Sequence, residues 1–297
     1  MRLILPLALF AAFVPSLAQD RSPGRPPITG ISHVAFYAED VAAARQFYAG
    51  ELGLAADASR QNVYHVGTRQ AIEIEPLPSG EDDNRLAHVA FATTDAEGMR
   101  RYLAAHGIAV PANINSEANG TRWFALKDPE GHPIEFVQES RLQAAAGSGT
   151  PVSRHLIHCG FVVHDRALED RFYKDLLGFH VYWYGGMKDG ETDFIDMQVP
   201  DGTEWLEYMM MQPGQTPSAS TLGVVNHAAL GVSDGSGAVQ ILDQHGWKPS
   251  DREKPQIGRD GKWQLNLYDP DGTRVEVMEF RPTEKPCCSS YSGPHPE

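Results

Sequence analysis

The chain has 297 residues, 41% of them hydrophobic, which is enough for two ordinary domains with filled cores and rules out a peptide scaffold or a disordered tail. Asp+Glu 39 against Lys+Arg 25 gives a net charge of -14, and with no basic run to neutralise a phosphate backbone the composition argues against a nucleic-acid partner. Three cysteines, Cys159, Cys287 and Cys288, cannot build a disulfide framework or a zinc ribbon, so any metal must be held by histidines and carboxylates.

The chain opens with Arg2, the apolar run Leu3 to Val14 and then Pro15-Ser16-Leu17-Ala18. Residues 1–18 therefore read as a secretory signal cleaved after Ala18, since the run falls short of the roughly 20 residues that span a bilayer. The expectation is a periplasmic or secreted protein with no membrane attachment after cleavage.

Beyond that segment one pattern recurs four times: Ile31-Ser32-His33-Val34-Ala35-Phe36, Leu86-Ala87-His88-Val89-Ala90-Phe91, Leu156-Ile157-His158-Cys159-Gly160-Phe161 and Val225-Asn226-His227-Ala228-Ala229-Leu230. Each histidine sits in a strand-like run. Seven residues further on stands an aspartate, Asp40, Asp95, Asp165 or Asp234, placed to cap a helix start. Helical spacing follows, as in Leu168, Phe172 and Leu176, and each helix stops at a glycine: Gly53, Gly107, Gly178 or Gly246. Short strands complete each copy, so the unit is βαβββ.

The four units divide into an N-terminal pair over 28–140 and a C-terminal pair over 153–281, joined by a linker over 141–152 that contains Ala144-Ala145-Ala146-Gly147-Ser148-Gly149. Residues 282–297 lose periodicity, are rich in Pro and Ser, and read as a disordered tail. The Glu81-Asp82-Asp83 run reads as a solvated loop, His132 as an exposed turn residue, and Cys159 as a buried hydrophobe. His106 and His245, each just before a helix-ending glycine, read as helix caps.

A strand histidine, a Phe-Tyr pair ahead of Leu-Gly (Phe47-Tyr48 with Leu52-Gly53, and Phe172-Tyr173 with Leu177-Gly178) and a closing Asp-Pro-x-Gly-x-x-x-Glu together resemble the vicinal oxygen chelate superfamily. The closing motif runs from Asp128 to Glu135 and again from Asp269 to Glu276. The resemblance covers nearly the whole chain after residue 18. It implies an α+β fold in which four βαβββ modules pair into two cupped mixed-sheet domains, with metal ligands drawn from first and last strands.

Strand parity agrees with this. His227 shares its face with Ala229 and Gly231, while Glu276 would project from a surface shared with Met278 and Phe280, where an unpaired carboxylate is costly. His158, His227 and Glu276 form a two-histidine, one-carboxylate set suited to Fe(II), with Mn, Ni or Zn as further choices. His33, His88 and Glu135 offer a second candidate metal site in the same order. The resemblance favours the C-terminal set, because the four-module ring-cleaving dioxygenases of the superfamily keep their iron there. Tyr182, Tyr184, Trp205 and Tyr208 are the aromatics expected to line a substrate pocket, with Tyr182 and Tyr184 on the strand face opposite Trp183.

Glu207 is a candidate fourth ligand, but it stands seven residues beyond Pro200, whereas Glu276 stands six beyond Pro270. By that count only a β-bulge would turn it inward. Three ligands imply a dioxygenase-like enzyme acting on a small molecule with vicinal oxygens; a closed set of four resembles glyoxalase-like lyases and isomerases. A metal-free sequestering protein like the superfamily's drug-resistance members is the third alternative. The ring-cleaving signature also places a tyrosine where Asn266 stands and a histidine upstream, yet Gln256 to Lys262 contains none, so those roles are unfilled. The sequence leaves oligomeric state open.

Overall fold

The computed structural model describes residues 23–79, 84–138, 149–212 and 214–297. The signal-like segment 1–18, most of the 141–152 linker and the Glu81–Asp83 run lie outside them. Among the described residues no helix is long and apolar enough to cross a membrane.

The first module supplies β1 (Ile28–Ala38), β2 (Ala55–Ala56), β3 (Val63–Val66) and β4 (Gln70–Pro76); the second supplies β5 (Leu86–Thr93), β6 (Asn115–Ser116), β7 (Arg122–Lys127) and β8 (Pro133–Gln138). The third contributes β9 (His155–Val163), β10 (His180–Gly185), β11 (Phe194–Gln198) and β12 (Trp205–Met210), and the fourth β13 (His227–Val232), β14 (Gln256–Ile257), β15 (Trp263–Tyr268) and β16 (Arg274–Glu279). These form two eight-stranded sheets with the same plan, β2-β3-β4-β1-β5-β8-β7-β6 and β10-β11-β12-β9-β13-β16-β15-β14. In every module the last strand returns parallel to the first, and the first strands of paired modules lie antiparallel at the centre. The expected α+β fold of two cupped mixed sheets is what the chain adopts.

The local signals act as the sequence predicts. Asp40, Asp95, Asp165 and Asp234 each accept from amides of the helix they start: α1 (Val41–Arg45), α2 (Ala96–Ala105), α3 (Arg166–Asp170) and, in the fourth module, Gly235–Gln244. Gly53, Gly107, Gly178 and Gly246 all have φ between 67° and 88°, the left-handed region where a Cβ is strained. α1 and α3 continue as wider turns over Gln46–Glu51 and Arg171–Leu176, which carry the buried Phe-Tyr pairs. A further helix, Ala219–Val225, capped by Ser218, joins the third module to the fourth; it becomes α4, and Gly235–Gln244 is α5.

The sheet faces turned away from the cups share one contiguous core that spans both domains. Tyr48 of the first module donates to Asp269 of the fourth at 3.2 Å, and Tyr173 of the third donates to Asp128 of the second at 3.1 Å. The exchange is reciprocal at the turns as well, with Glu39 N donating to Asp271 and His164 N to Glu130. His106 and His245 both occupy the C-cap position. His106 Nδ1 bonds Tyr102 O of its own helix, but His245 Nδ1 reaches Glu51 O of the other domain at 2.9 Å.

Two expectations are overturned. Residues 282–297 are ordered: Trp183 Nε1 donates to Cys287 O at 3.2 Å, Tyr184 N to Ser289 Oγ at 2.9 Å, and Gln198 Nε2 to Pro294 O at 2.9 Å. The segment lies along β10, the sheet edge, where unpaired strand groups hold it; it needs no periodicity of its own. Cys287 and Cys288 within it are disulfide-bonded. His132 is not exposed, since its Nδ1 lies 2.7 Å from Asp128 Oδ2 and its ring packs 4.3 Å from Phe161.

Removing either phenol hydroxyl takes a donor from a buried aspartate that bridges the domains. Tyr48→Phe and Tyr173→Phe are each expected to lower stability by about 1–3 kcal/mol, read from urea unfolding midpoints; wild-type midpoints in both would show that the clasps contribute nothing.

Candidate metal centres

The parallel pairing of first and last strands sets one rule in all four modules. The residue two beyond each histidine lies opposite a glutamate: Ala35 opposite Glu73, Ala90 opposite Glu135, Gly160 opposite Glu207 and Ala229 opposite Glu276. With a two-residue side-chain period, each glutamate then shares its histidine's face. Antiparallel contact of the two first strands brings two such pairs together in each cup.

In the C-terminal cup, His158 Nε2 and His227 Nε2 lie 3.0 Å apart. Glu276 Oε2 is 3.4 Å from His158 Nε2 and 3.8 Å from His227 Nε2. Both imidazoles and the carboxylate are buried, so the three expected ligands converge. Glu207 joins them, its Oε2 3.2 Å from His227 Nε2. No bulge is needed. β12 pairs without a register shift, and the extra residue sits in the preceding turn, which closes from Val199 N to Glu204 O where the fourth module closes from Asp269 N to Thr273 O.

Groups behind the ligands fix their orientation. His227 Nδ1 donates to Val225 O at 2.8 Å, which leaves the Nε2 lone pair facing the cup. Gly160 lies directly opposite His227, and its missing Cβ leaves room for the ring. His158 packs against Trp205 at 4.8 Å, and its buried Nδ1 has no hydrogen-bond partner. Arg274 Nη2 stands 2.9 Å from each ring nitrogen of His227.

Burial, reinforced by Arg274, depresses His227 to about 3, and burial lowers His158 as well. Burial would raise the carboxyl of Glu276, yet the His158 hydrogen bond and the Arg274 charge hold it at about 2. Neutral imidazoles beside an ionised carboxylate are the protonation states a divalent ion requires. Burial raises Glu207, and it raises Asp196 well above the usual carboxylate range with the Glu207 charge adding to it.

A cleft of about 320 Å³ opens on this set, lined in part by Trp183, Trp205, Asp196, Asn266 and Arg274. Of the aromatics expected to line it, only Trp205 does. Tyr208 faces the interdomain core, as Leu206 does, because alternation puts Trp205 and Glu207 on the cup side. Tyr184 is exposed. Tyr182 is buried beneath the C-terminal segment, bonded to His295 and tilted against the Trp205 ring at 5.2 Å. The expected alternation of Tyr182 against Trp183 fails because the register shifts by one residue between Val181 and Trp183.

No local sequence pattern marks Lys262. It is fully buried, with Nζ 4.4 Å from the Trp205 ring centre and no hydrogen-bond acceptor. Burial lowers its ammonium against the pull of Asp260 and Asp196. Asp196 was the more legible of these groups, as a carboxylate within the apolar run Phe194 to Met197.

The N-terminal cup repeats the frame. His33 Nε2 and His88 Nε2 are 3.0 Å apart, with Glu135 Oε2 at 3.8 and 3.9 Å from them. Burial, then Arg60, lowers His33 to about 3; burial, then His33, lowers His88 to about 4. Burial and nearby glutamates lift Glu135 to about 7.

Two family models, both described as Glyoxalase/Bleomycin resistance protein/Dioxygenase superfamily, match residues 30–136 and 157–266. The chain belongs to that superfamily, in its two-domain, four-module form. Among solved structures it is similar to a variant of homoprotocatechuate 2,3-dioxygenase from Brevibacterium fuscum, with a TM-score of 0.65 and 22% identity over 87% of this chain and 72% of that one. The Arthrobacter globiformis enzyme of the same name matches with a TM-score of 0.64 and 20% identity over 87% and 81%. The anaerobic complex of the Brevibacterium enzyme with 3,4-dihydroxyphenylacetate matches with 0.62 and 21% over 87% and 82%. No curated protein matches the sequence.

A histidine held neutral when folded stabilises the protein fully above its ordinary value of 6.5 and loses that contribution as pH falls toward about 3. In chelator-treated protein, the stability advantage of wild type over His227→Gln is therefore expected to shrink between pH 6.5 and 4.5. Urea unfolding across that window checks it, and a constant difference would contradict a buried neutral imidazole.

Proposed function

We propose that the C-terminal domain is a divalent-metal enzyme of extradiol-dioxygenase type, acting on a small substrate that presents two adjacent oxygens. The observation that carries the reading is the convergence of His158, His227 and Glu276, with His158 and Glu276 lining the 320 Å³ cleft. The fit to a metal is supported by the His227 tautomer, which Val225 O fixes so that Nε2 is the ligating nitrogen. Fe(II) is the first choice for such a set. A metal bound there would polarise the substrate oxygens and, as iron, supply the one-electron chemistry that O2 requires.

The chain's own residues set the rest. Trp205 and Trp183 form apolar walls for a flat ring, and Arg274 adds positive charge beside the ligands. Asn266 cannot exchange a proton, and Gln256 to Lys262 brings no histidine. Glu207, 3.2 Å from His227 Nε2 and raised by burial, is the carboxylate beside the ligand set placed to take up or release a substrate proton. The two-domain fold shared with dioxygenases supports the oxygenase reading over others.

The position of Glu207 also favours a second reading. If it ligates, the set closes at two histidines and two glutamates, and the chemistry becomes proton transfer on a polarised carbonyl, as in a lyase or isomerase.

Protein purified without air is expected to lose one equivalent of metal in His227→Ala, and with iron bound to consume O2 in the presence of 3,4-dihydroxyphenylacetate or a simpler catechol. Glu207→Gln should keep its metal and slow turnover by about 10²–10⁴-fold. Loss of metal in Glu207→Gln with no O2 uptake by wild type would favour the lyase or isomerase; unchanged metal content in His227→Ala would leave a metal-free binding cup.

A further inference from the structure

We propose that the N-terminal cup is a second divalent-cation site, held by His33, His88 and Glu135, with Glu73 withheld from it by Arg60. The inference uses no residue of the C-terminal set and stands or falls separately from the enzyme reading.

The backbone frame is the one that assembles the C-terminal ligands, because Glu135 lies opposite Ala90 and Glu73 opposite Ala35, two residues beyond His88 and His33. The His33 and His88 Nε2 atoms meet at 3.0 Å, the same separation as His158 and His227. Glu135 stands at nearly equal distance from both, 3.8 and 3.9 Å, so the three donor atoms surround one point. Behind the rings, His33 Nδ1 lies 3.2 Å from Ser32 Oγ and His88 Nδ1 lies 3.6 Å from Glu75 Oε1. Ser32 is thus within hydrogen-bond reach of the outer nitrogen of His33, and Glu75 places a negative charge near that of His88.

The difference between the cups lies in the fourth position. Glu207 reaches His227, whereas Glu73 Oε1 accepts from Arg60 Nη1 at 3.0 Å. Arg60 comes from the loop ahead of β3, and it holds the equivalent carboxylate off the histidines. It is also the one lysine or arginine among the residues lining this cleft of about 240 Å³, against Glu73, Glu75, Glu117 and Glu135. Four carboxylates thus face one guanidinium in this cleft, and a divalent ion would supply compensating charge. The ligand count is three protein groups with an open side facing the cleft.

Mn(II) titration of the full chain, read by the electron paramagnetic resonance of the free ion, tests this. Wild type is expected to bind two ions, and His33→Ala and Glu135→Gln one fewer each. Arg60→Ala frees Glu73 and should tighten the N-terminal site about tenfold, a gain that misfolding cannot imitate. Placing Arg60→Ala in a His227→Ala background isolates that site. Stoichiometry unchanged by both His33→Ala and Glu135→Gln, or affinity unmoved by Arg60→Ala, would overturn the proposal. Loss of one ion in the N-terminal variants with none lost in His227→Ala would sustain it while removing the C-terminal reading.

Discussion

The arrangement on which everything else depends is the parallel return of each module's last strand to its first. A parallel ladder with a two-residue side-chain period leaves no freedom over which face a residue occupies once the register is set. Here the register puts a glutamate opposite the residue two beyond the histidine in all four modules. Two strands meeting antiparallel at the sheet centre then bring two imidazoles to 3.0 Å, in both cups, without any contribution from loops. The sites are built on the central strands of each sheet, the kind of paired element that holds side chains more closely than a loop does.

Burial alone does not decide the character of each cup; neighbouring charges do. The carboxyl of Glu276 is held at about 2 against burial by His158 and Arg274, while that of Glu135 rises to about 7 through burial, with neighbouring glutamates adding to it. Two sites with the same backbone and the same ligand types therefore sit in different fields. The guanidinium is placed differently too: Arg274 stands at a histidine, Arg60 at a glutamate. One duplicated frame has in this way acquired two electrostatic identities.

Most of the fold was legible because its signals are local and repeated. The aspartate N-caps and left-handed glycines at fixed distances from each histidine report helix ends through backbone chemistry that tertiary context does not override. The histidines and the closing glutamates Glu135 and Glu276 were legible from parity. Counting from Pro200 does not reveal Glu207, because it assumes turns of equal length and the added residue is absorbed before β12 begins. Simple alternation fails at Tyr182 and Trp183 for the opposite reason: there the extra residue does lie inside the strand pairing. Lys262 and the strap over residues 282–297 depend on surfaces supplied by distant segments, which no local pattern encodes.

The exchanged phenol–aspartate clasps carry a further consequence. Each Phe-Tyr turn completes a contact belonging to the opposite domain, Tyr48 with Asp269 and Tyr173 with Asp128, and the core beneath is continuous between them. A half-length chain would therefore expose a large apolar face together with one tyrosine and one aspartate, each the complement of the other's missing partner. Such a surface is self-complementary about a two-fold axis, the geometry of an isologous dimer. The present chain is the covalent counterpart of that dimer, and one chain can hold two unlike cups: a symmetric pair must carry each substitution twice, whereas Arg60 and Arg274 each serve one cup alone.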